Sequence, residues 1–498
     1  MSVATEPSKE RGGLRAASLA LDRRLLLLGA LAVAVVVRLA GLGDRLSDAE
    51  GYSWLVASAP SVDVFFDRLA AYENTPPLFY ALLAPLPMGD EAWLRAPALL
   101  PALACVPVAY CLIRPLLGTR VALLTALAVA VAPFHVSYSN YSRGFMLAAL
   151  GLLLAAWAIA RLAEGRRARW WWLYLAGATL ALQSEYDALL FLGPLLALPA
   201  LWRRRDRREV ALLGVLPLAT LLPLAGEMLR GLDQLDVTKL TPPSAPLSPA
   251  SLRDSLVSLF TGTHGLAGPS ALRALQLLAL AAALALSATW LWRRHAGPGA
   301  EGGRPAAGAA PSLPGDVRGA IAFWLLVVSP AVAVALHAVA SIPGPEIFDS
   351  RYLVGLIPFA CALLAAGVDA LPWRWAVPAA AACLLGLAVA VLVQRYDREL
   401  QPDVAPAAAL VEASSARTVL TNSAVAAYYL EETDVGAGID ADVRLDRPFG
   451  LGNDEPACVA PSCPHPLAIV EDGRLPGGIR AGPGTATPVG PLTVRIVP

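Results

Sequence analysis

Charged residues are scarce in this chain, and the common signatures of soluble catalysis are missing. Asp, Glu, Lys and Arg make up 16% of its 498 residues, whereas soluble proteins carry about 25%. The sequence contains no Walker A loop, no GxGxxG turn and no HExxH pair. Lys and Arg together number 39, as do Asp and Glu, and cysteines number six. These deficits argue against a typical soluble enzyme, a nucleic-acid-binding protein and a disulfide scaffold.

Apolar residues are abundant instead. They make up 56% of the chain, and the mean hydropathy is +0.57. A helix needs about 20 consecutive apolar residues to cross a bilayer. The sequence therefore predicts an all-α polytopic membrane protein with about 11 transmembrane helices. We expect them at residues 24–43, 92–117, 119–135, 144–161, 170–183, 187–202, 210–226, 270–292, 319–340, 352–369 and 374–393.

The distribution of Lys and Arg predicts the orientation of these spans. If the N-terminus is cytoplasmic, the inner segments hold more than twice as many Lys and Arg residues as the outer loops. Cytoplasmic loops carry such an excess in membrane proteins. We therefore expect a plasma-membrane domain over residues 1–393, a first outer loop over residues 44–91, and a C-terminal tail outside the cytoplasm.

The tail from residue 394 to residue 498 changes in character. Helix-like and strand-like stretches alternate there, which predicts a small α/β domain. The stretches lie at residues 406–413, 418–421, 423–430, 467–470 and 492–497. Because the outer side is oxidising, we expect Cys458 and Cys463 to form a disulfide.

The first outer loop begins with two acids, Asp48 and Glu50, just past the first span. A carboxylate at the boundary between membrane and water can be partly desolvated, which raises its pKa and makes it a usable base. A solvated loop acid without a function is the alternative. The segment from Glu73 to Tyr80 contains two prolines and predicts a loop that re-enters the interface, or a plain helix start.

Two arginines lie on the predicted outer side, against the general trend. Arg143 ends a segment rich in hydroxyl groups and amides, which includes Tyr138 and Asn140. Arg351 precedes Tyr352 at the outer start of the tenth span. A guanidinium can hold a phosphate through two parallel hydrogen bonds. Anchoring of a helix end or pairing with an acid would explain these arginines equally well.

Acids also occur in the short outer turn between the fifth and sixth spans, at Glu185 and Asp187. Ionisable groups at a membrane boundary are candidates for function, although a hydrated turn would accommodate them as well.

These motifs occur in a recognisable order. An acidic motif follows the first span, and Pro76-Pro77-Leu78-Phe79-Tyr80 and Leu94-Arg95-Ala96-Pro97 come next. A Pro-Phe-His-x-x-Tyr-Ser-x-x-x-Arg motif over residues 133–143 and an Arg-Tyr-Leu at 351–353 complete the set. Over about residues 24–360 the chain resembles the GT-C membrane glycosyltransferases of the protein O-mannosyltransferase type. Their bacterial relatives include the lipid A aminoarabinose transferase and the lipopolysaccharide galacturonic acid transferases.

The resemblance implies an inverting transferase that takes its sugar from a polyprenyl phosphate and passes it to a cell-envelope glycan, lipid or protein. It assigns the base to an Asp in the first outer loop, which corresponds to Asp48. The family usually has adjacent Asp and Glu, whereas Ala49 separates them here, so Glu50 stays an alternative. The donor phosphate would meet Arg143, Arg351 and Tyr352, and the set predicted to contact substrate is Asn74, Tyr80, Tyr138, Asn140 and Glu185.

The same resemblance implies no cofactor, and the family's frequent His before Pro-Pro is replaced by Asn74-Thr75. A divalent metal therefore has no support in the sequence. The expected partners are the lipid-linked donor, the acceptor and membrane lipids, without nucleic acid. A lipid or solute transporter, or a flippase, is the main alternative. It would carry more charges within its spans than Arg38 and His337, and it would often have duplicated halves, for which the sequence gives no sign.

Overall fold

The computed structural model describes residues 7–73, 75–165, 169–226, 281, 283–291, 315–341, 350–396, 404–414, 416–421, 423–431, 442–445, 467–472, 485–489 and 492–497. Most of this part is helical. Up to residue 226 its helices are α1 (Pro7–Leu39), α2 (Asp48–Ala57), α3 (Val62–Tyr72), α4 (Leu78–Leu83), α5 (Glu91–Leu117), α6 (Thr119–Val131), α7 (Pro133–Ser139), α8 (Phe145–Ala163), α9 (Arg169–Leu182), α10 (Leu189–Leu196), α11 (Pro199–Arg204) and α12 (Arg207–Ala219). Short 3-10 turns cover Tyr186–Ala188 and Leu222–Leu224.

The described part beyond residue 280 is also largely helical up to residue 396. Residues 283–291 are helical. A π turn at Trp324–Val328 joins Gly315–Phe323 to Ser329–Ala340. A 3-10 segment, Ser350–Leu356, leads into Ile357–Asp369, and Ala376–Tyr396 follows.

Several helices in the described part have the length and apolarity of membrane spans. Four pass both criteria, or five if α6 and α7, which meet at 56°, count as one bent span. The four are Glu91–Leu117, Phe145–Ala163, Val317–Ala340 and Ser350–Asp369. They confirm the predicted spans 92–117, 144–161, 319–340 and 352–369. The predicted span 270–292 lies mostly outside the described residues, and the total of eleven stays a prediction.

The predicted span 119–135 is broken, and a buried arginine stabilises the break. Pro133 cannot continue α6 because it lacks an N–H group, and the last carbonyls of α6 are left without helical partners. Arg38 of α1 donates to two of them, over 2.7 Å to the oxygen of Ala130 and 3.3 Å to that of Val129. Arg38 has no exposed surface. This charge within a predicted span therefore has a structural role as a helix cap.

Helices α8 and α9 pack with their backbones in contact. A Cβ atom added to Gly151 would lie 2.5 Å from the carbonyl oxygen of Gly177, and one added to Gly177 would lie 2.7 Å from that of Gly151. Small residues permit such an approach in membrane proteins, where close packing replaces the hydrophobic effect between helices. This contact fixes the loop that follows α9, which contains Glu185.

The described tail residues form a five-stranded sheet of order β2-β1-β3-β5-β4. The strands are β1 (Thr418–Thr421), β2 (Asp442–Leu445), β3 (Leu467–Asp472), β4 (Thr485–Val489) and β5 (Leu492–Val497). β1 runs parallel to β2 and β3, and β5 is antiparallel to β3 and β4. Two helices, Ala405–Ser414 and Ala424–Glu431, accompany the sheet. The five stretches predicted in the tail have the expected secondary structure.

Candidate active site

The first outer loop is organised by the start of α2. Ser47 precedes the helix, and both its backbone N–H and its hydroxyl donate over 2.9 Å to the Oε2 atom of Glu50. This is a capping box, in which a Glu three residues into a helix satisfies the residue before the helix. Asp48 is the first residue of α2, and its side chain is outside the described part of the structure.

Glu50 forms a buried ion pair with Arg95. The Nε atom of Arg95 donates to Oε1 over 2.9 Å, and Nη2 donates to Oε2 over 3.2 Å. Oε1 also accepts the backbone N–H of Ser142 over 3.1 Å. Two carboxylate oxygens offer about four acceptor sites, and five donors approach these two. Of the two predicted base candidates, Glu50 therefore has a structural role, in which it holds the start of α2 against Arg95.

Arg95 fastens the start of the outer loop to α5. Besides Glu50, its guanidinium donates to the carbonyl oxygens of Leu42 over 2.8 Å and Arg45 over 3.1 Å, and also to that of Asp44. The side chains of Arg95 and Glu50 are 2% and 3% exposed. A buried charge requires such complete pairing, because desolvation costs more than Coulomb attraction alone returns. The pair fixes where α2 begins, and so it fixes the backbone of Asp48.

A second cluster surrounds Arg143, in the turn between α7 and α8. Its Nη1 atom forms an ion pair with Glu73 and lies 3.4 Å from the hydroxyl oxygen of Tyr80. The hydroxyl groups of Tyr80 and Thr75 lie 3.0 Å apart. The buried Nε atom of Arg143 makes no hydrogen bond within the described residues. Arg143 therefore has a donor available beyond its ion pair.

Glu73 was not identified from the sequence as a site residue, although it begins the motif that contains the two prolines. Burial raises the pKa of its carboxyl, and the neighbouring Arg143 guanidinium opposes that shift. Only the spatial contact with Arg143 distinguishes Glu73 from an ordinary loop acid. Asn74, the next residue, lies outside the described part.

Glu185, Asp187, Arg351 and Tyr352 line one cleft. The Glu185 side chain is buried. Burial raises its pKa well above the usual range, and the nearby Asp187 carboxylate adds to the shift. Arg351 is exposed. The cleft thus has the exposed guanidinium of Arg351 at its surface and the buried carboxyl of Glu185 in its lining.

The wall of the cleft depends on Gly144. A Cβ atom at this position would lie 2.6 Å from the carbonyl oxygen of Ser184 and 3.2 Å from Oε1 of Glu185. Asp187, on the same wall, accepts over 3.4 Å from Nε2 of His337 if that atom carries the proton. His337 also bonds the carbonyl oxygen of Ala333 through Nδ1, at 2.9 Å. His337 is thus a packed polar residue within its helix.

Electrostatic interactions connect the two clusters with Glu50. Burial raises the pKa of Tyr141, and the charges of Arg143, Glu50, Arg351 and Glu73 all act on its hydroxyl. Tyr141 itself was missed from the sequence, because one tyrosine among several hydroxyl-bearing neighbours gives no separate signal. The structure therefore brings the beginning of the first outer loop, the turn before α8 and the segment before Ile357–Asp369 into one region.

Tyr138 and Asn140 occupy packing positions. The Tyr138 ring lies 4.6 Å from that of Phe134 and 5.2 Å from that of Phe145, between ring centroids. The Asn140 side-chain amide donates over 2.7 Å to the carbonyl oxygen of Arg38. Neither residue lines the cleft. Their substrate contacts stay a prediction.

Two further predictions concern metals and a disulfide. In the parts of the chain that the structure describes, no group of three or more His, Cys, Asp or Glu side chains could hold a metal ion. Cys458 and Cys463 lie outside the described residues, and their disulfide stays a prediction.

Comparison with known proteins agrees with this fold. Residues 75–225 match the family model of dolichyl-phosphate-mannose-protein mannosyltransferases. The crystal structure of ArnT from Cupriavidus metallidurans bound to undecaprenyl phosphate is 13% identical, with a TM-score of 0.56 over 94% of this chain and 97% of that one. The apo structure of the same protein is 14% identical, with a TM-score of 0.58 over 96% and 98% of the two chains.

The archaeal oligosaccharyltransferase AglB from Archaeoglobus fulgidus, in complex with an inhibitory peptide and a dolichol-phosphate, is more distant. Its TM-score is 0.44 at 12% identity, over 78% of this chain and 58% of that one. No curated protein sequence matches the chain. The family match and the ArnT fold confirm the resemblance to the GT-C glycosyltransferases, and the chain is a multi-pass membrane protein.

Proposed function

We propose that this protein is an inverting glycosyltransferase that moves a sugar from a polyprenyl-phosphate donor to an acceptor in the cell envelope. The observation that carries the proposal is the contact of Arg143 with Glu73 next to Ser142, whose backbone N–H donates to Oε1 of Glu50 over 3.1 Å. Acids and guanidinium groups from distant parts of the chain meet next to the loop that contains Asp48. ArnT, whose fold this chain shares, has been crystallised with undecaprenyl phosphate.

The reaction is a single displacement. The acceptor oxygen forms a bond to the anomeric carbon of the sugar while the bond from that carbon to the phosphate oxygen breaks. The bonding electron pair leaves with the phosphate, and Asp48 takes the proton of the acceptor hydroxyl. Attack from the face opposite the phosphate inverts the anomeric carbon, through a transition state with oxocarbenium character.

The phosphate needs cations because negative charge grows on it as the bond breaks. Fixed donors in a site shielded from water stabilise such charge more strongly than water does. We assign this role to Arg351, with Tyr352 beside it, and to the unpaired Nε of Arg143. Glu73 holds Arg143 in place through their ion pair.

The sugar is assigned to the region between these arginines. Glu185 has a buried carboxyl in the lining of the cleft, where a sugar hydroxyl could form a hydrogen bond with it. We place Tyr80, which lies beside Arg143, in the same substrate-binding group, together with Asn74 from the same sequence motif. Tyr138 and Asn140, which pack around α7, are kept in that group as well.

The proposal also places the reaction on the outer side of the membrane. This orientation follows from the distribution of Lys and Arg in the sequence. With a cytoplasmic N-terminus, the first outer loop and the tail face the outside of the plasma membrane. Nucleotide sugars are absent there, so a lipid-linked donor is needed.

The proposal is tested by sugar transfer in reconstituted membranes. The full chain in liposomes is given polyprenyl-phosphate mannose and related polyprenyl-phosphate sugars, each with a labelled sugar, and isolated cell envelope as acceptor. We expect label in the acceptor and release of polyprenyl phosphate. Asp48→Asn should reduce the rate at least ~100-fold, since a positioned base contributes roughly that much. The exposed tail variant Glu412→Gln is the control.

A different result would favour the transporter. Movement of the labelled lipid across the vesicle membrane, without release of polyprenyl phosphate from any donor, would contradict a transferase. Full activity of Asp48→Asn would remove the assigned base.

A further inference from the structure

The tail helix Ala424–Glu431 is buried on all sides. Every residue from Ala424 to Leu430 is buried, although the helix has only eight residues. A helix that is apolar all round needs neighbours on every face. The sheet covers part of it, and α2 covers another part. The C-terminal tail is therefore packed against the first outer loop rather than tethered beside it.

The contact with α2 is made at backbone distance. A Cβ atom on Gly51 would lie 2.8 Å from the carbonyl carbon of Ala424 and 2.8 Å from the backbone nitrogen of Val425. The rings of Trp54 and Tyr428 lie 5.7 Å apart in an edge-to-face arrangement. Since α2 begins at Asp48, the tail helix lies against the element that carries the proposed base.

One hydroxyl group joins both ends of the first outer loop. The hydroxyl of Tyr429 accepts the backbone N–H of Leu46 over 3.1 Å and donates to Oε1 of Glu91 over 3.0 Å. Leu46 lies two residues before Asp48, and Glu91 begins α5. Burial raises the pKa of Tyr429, so the hydroxyl keeps the proton that it donates.

We propose that Tyr429 is a positioning residue for sugar transfer, through which the C-terminal tail fixes the backbone of Asp48. The inference rests on the proposed function, because Asp48 is the base only in that reaction. It assigns the tail a part in the reaction geometry. Leu46 has no exposed surface, so water cannot replace the lost acceptor without movement of the loop. A displacement of about 1 Å at a reacting group can cost about 100-fold in rate.

The test is Tyr429→Phe in the full chain, with Tyr428→Phe as the matched control. Tyr428→Phe keeps the ring that packs on Trp54. For Tyr429→Phe we expect kcat to fall at least ~10-fold, a loss smaller than that of a fully misplaced group, while KM for donor and acceptor stays within about twofold. A residue that merely stabilised the fold would lower the amount of active protein without a selective change in kcat per folded molecule.

Hydrogen exchange in nanodiscs supplies a readout that needs no activity. Tyr429→Phe should raise deuterium uptake in the peptide around residues 42–50, whereas Tyr428→Phe should not. If Tyr429→Phe does not fold, Glu91→Gln weakens the other half of the same bridge and should lower kcat in the same direction.

The two proposals fail differently. If the wild-type protein transfers sugar and Asp48→Asn does not, but Tyr429→Phe keeps the wild-type kcat, only the positioning inference is overturned. An equal fall for Tyr428→Phe, or a rise in acceptor KM alone, overturns it too. If no variant transfers sugar and the wild type does not either, the proposed function fails, and unchanged exchange in Tyr429→Phe would then overturn the contact itself.

Discussion

At the scale of single residues, the structure gives Glu50 a set of contacts that the sequence did not predict. Asp48 and Glu50 both follow the first span, and either could be a base. Glu50 receives the side chain of Arg95 and three donors from Ser47 and Ser142. The acceptor sites of this carboxylate are already occupied, so it has no lone pair available for the hydroxyl of an acceptor.

Glu50→Gln should therefore destabilise the protein. It would leave the buried guanidinium of Arg95 without its counter-charge, and breaking a buried pair costs roughly 3–5 kcal/mol. We expect a clear fall in the thermal unfolding midpoint, measured in detergent, whereas Asp48→Asn should unfold near the wild-type temperature. An unchanged midpoint for Glu50→Gln, combined with loss of transfer, would reverse the two roles.

The arginine at the surface of the cleft gives a second prediction at this scale. Arg351→Ala should lower kcat/KM for the lipid-linked donor at least ~10-fold, since a charge-assisted hydrogen bond contributes roughly 1.5–3 kcal/mol. Arg374→Ala is a matched control, because Arg374 is exposed and lies over the ring of Trp375. Steady-state kinetics with varied donor measure both variants. Equal losses of kcat/KM in the two variants would show that the rate depends on overall positive charge and not on the position of Arg351.

Glu185 gives a third prediction. Glu185→Ala should raise the donor KM about 5-fold, because it removes a hydrogen-bond partner of a sugar hydroxyl, and such bonds contribute about 1 kcal/mol. Glu412→Gln, an exposed acid of the tail, is the control. Donor binding is measured by displacement of a labelled polyprenyl-phosphate sugar. If Glu185→Ala binds the donor as tightly as the wild type does, the sugar does not contact Glu185.

At the scale of helices and strands, glycine decides which helices touch. The pattern of apolar residues predicts the existence of α8 and α9, but both are apolar all round, and the hydrophobic pattern does not identify the facing surfaces. In the structure, Gly151 and Gly177 mark the facing surfaces. A Cβ atom added to either glycine would lie within 3 Å of the backbone of the other helix. The turn with Glu185 follows directly from this contact.

Gly151→Ala should therefore lower stability, since the added methyl group must displace the backbone of α9. Overpacking of this kind costs typically about 1–3 kcal/mol. Gly193→Ala in α10 is the matched control, because nothing lies within 4 Å of a Cβ at that position. Thermal unfolding in the same detergent compares the two. A larger loss for Gly193→Ala would contradict the packing argument.

At the scale of the whole molecule, the tail and the first outer loop lie on the same side of the helical body. The hydrogen bonds from Tyr429 to Leu46 and Glu91 require this. With the orientation predicted from Lys and Arg, both face the outside. The orientation itself rests on the sequence.

Cysteine labelling in intact cells tests the orientation. Asp90→Cys in the first outer loop and Glu412→Cys in the tail should react with a membrane-impermeant maleimide, whereas Arg208→Cys should react only after the cells are opened. All three positions are exposed. The unsubstituted protein gives the background from its own cysteines. Labelling of Arg208→Cys alone in intact cells would invert the predicted topology.

The sequence by itself determined the membrane class, the long spans such as 92–117 and 144–161, and the resemblance carried by residues 76–80, 94–97, 133–143 and 351–353. Length, apolarity and motif order are local properties, and they can be read without a fold. The strands at 418–421 and 467–470 are predictable for the same reason, because alternation and β-branched residues act within a few positions.

Only the tertiary structure decided which groups meet. Glu73 pairs with Arg143 across 70 positions, and Leu46 bonds Tyr429 across 383. The break of the predicted span at Pro133 needed Arg38 from another helix to satisfy its carbonyls. Such contacts depend on how helices pack, and packing is decided by shape and by pairing of buried polar groups over the whole molecule. No single segment of the chain contains that information.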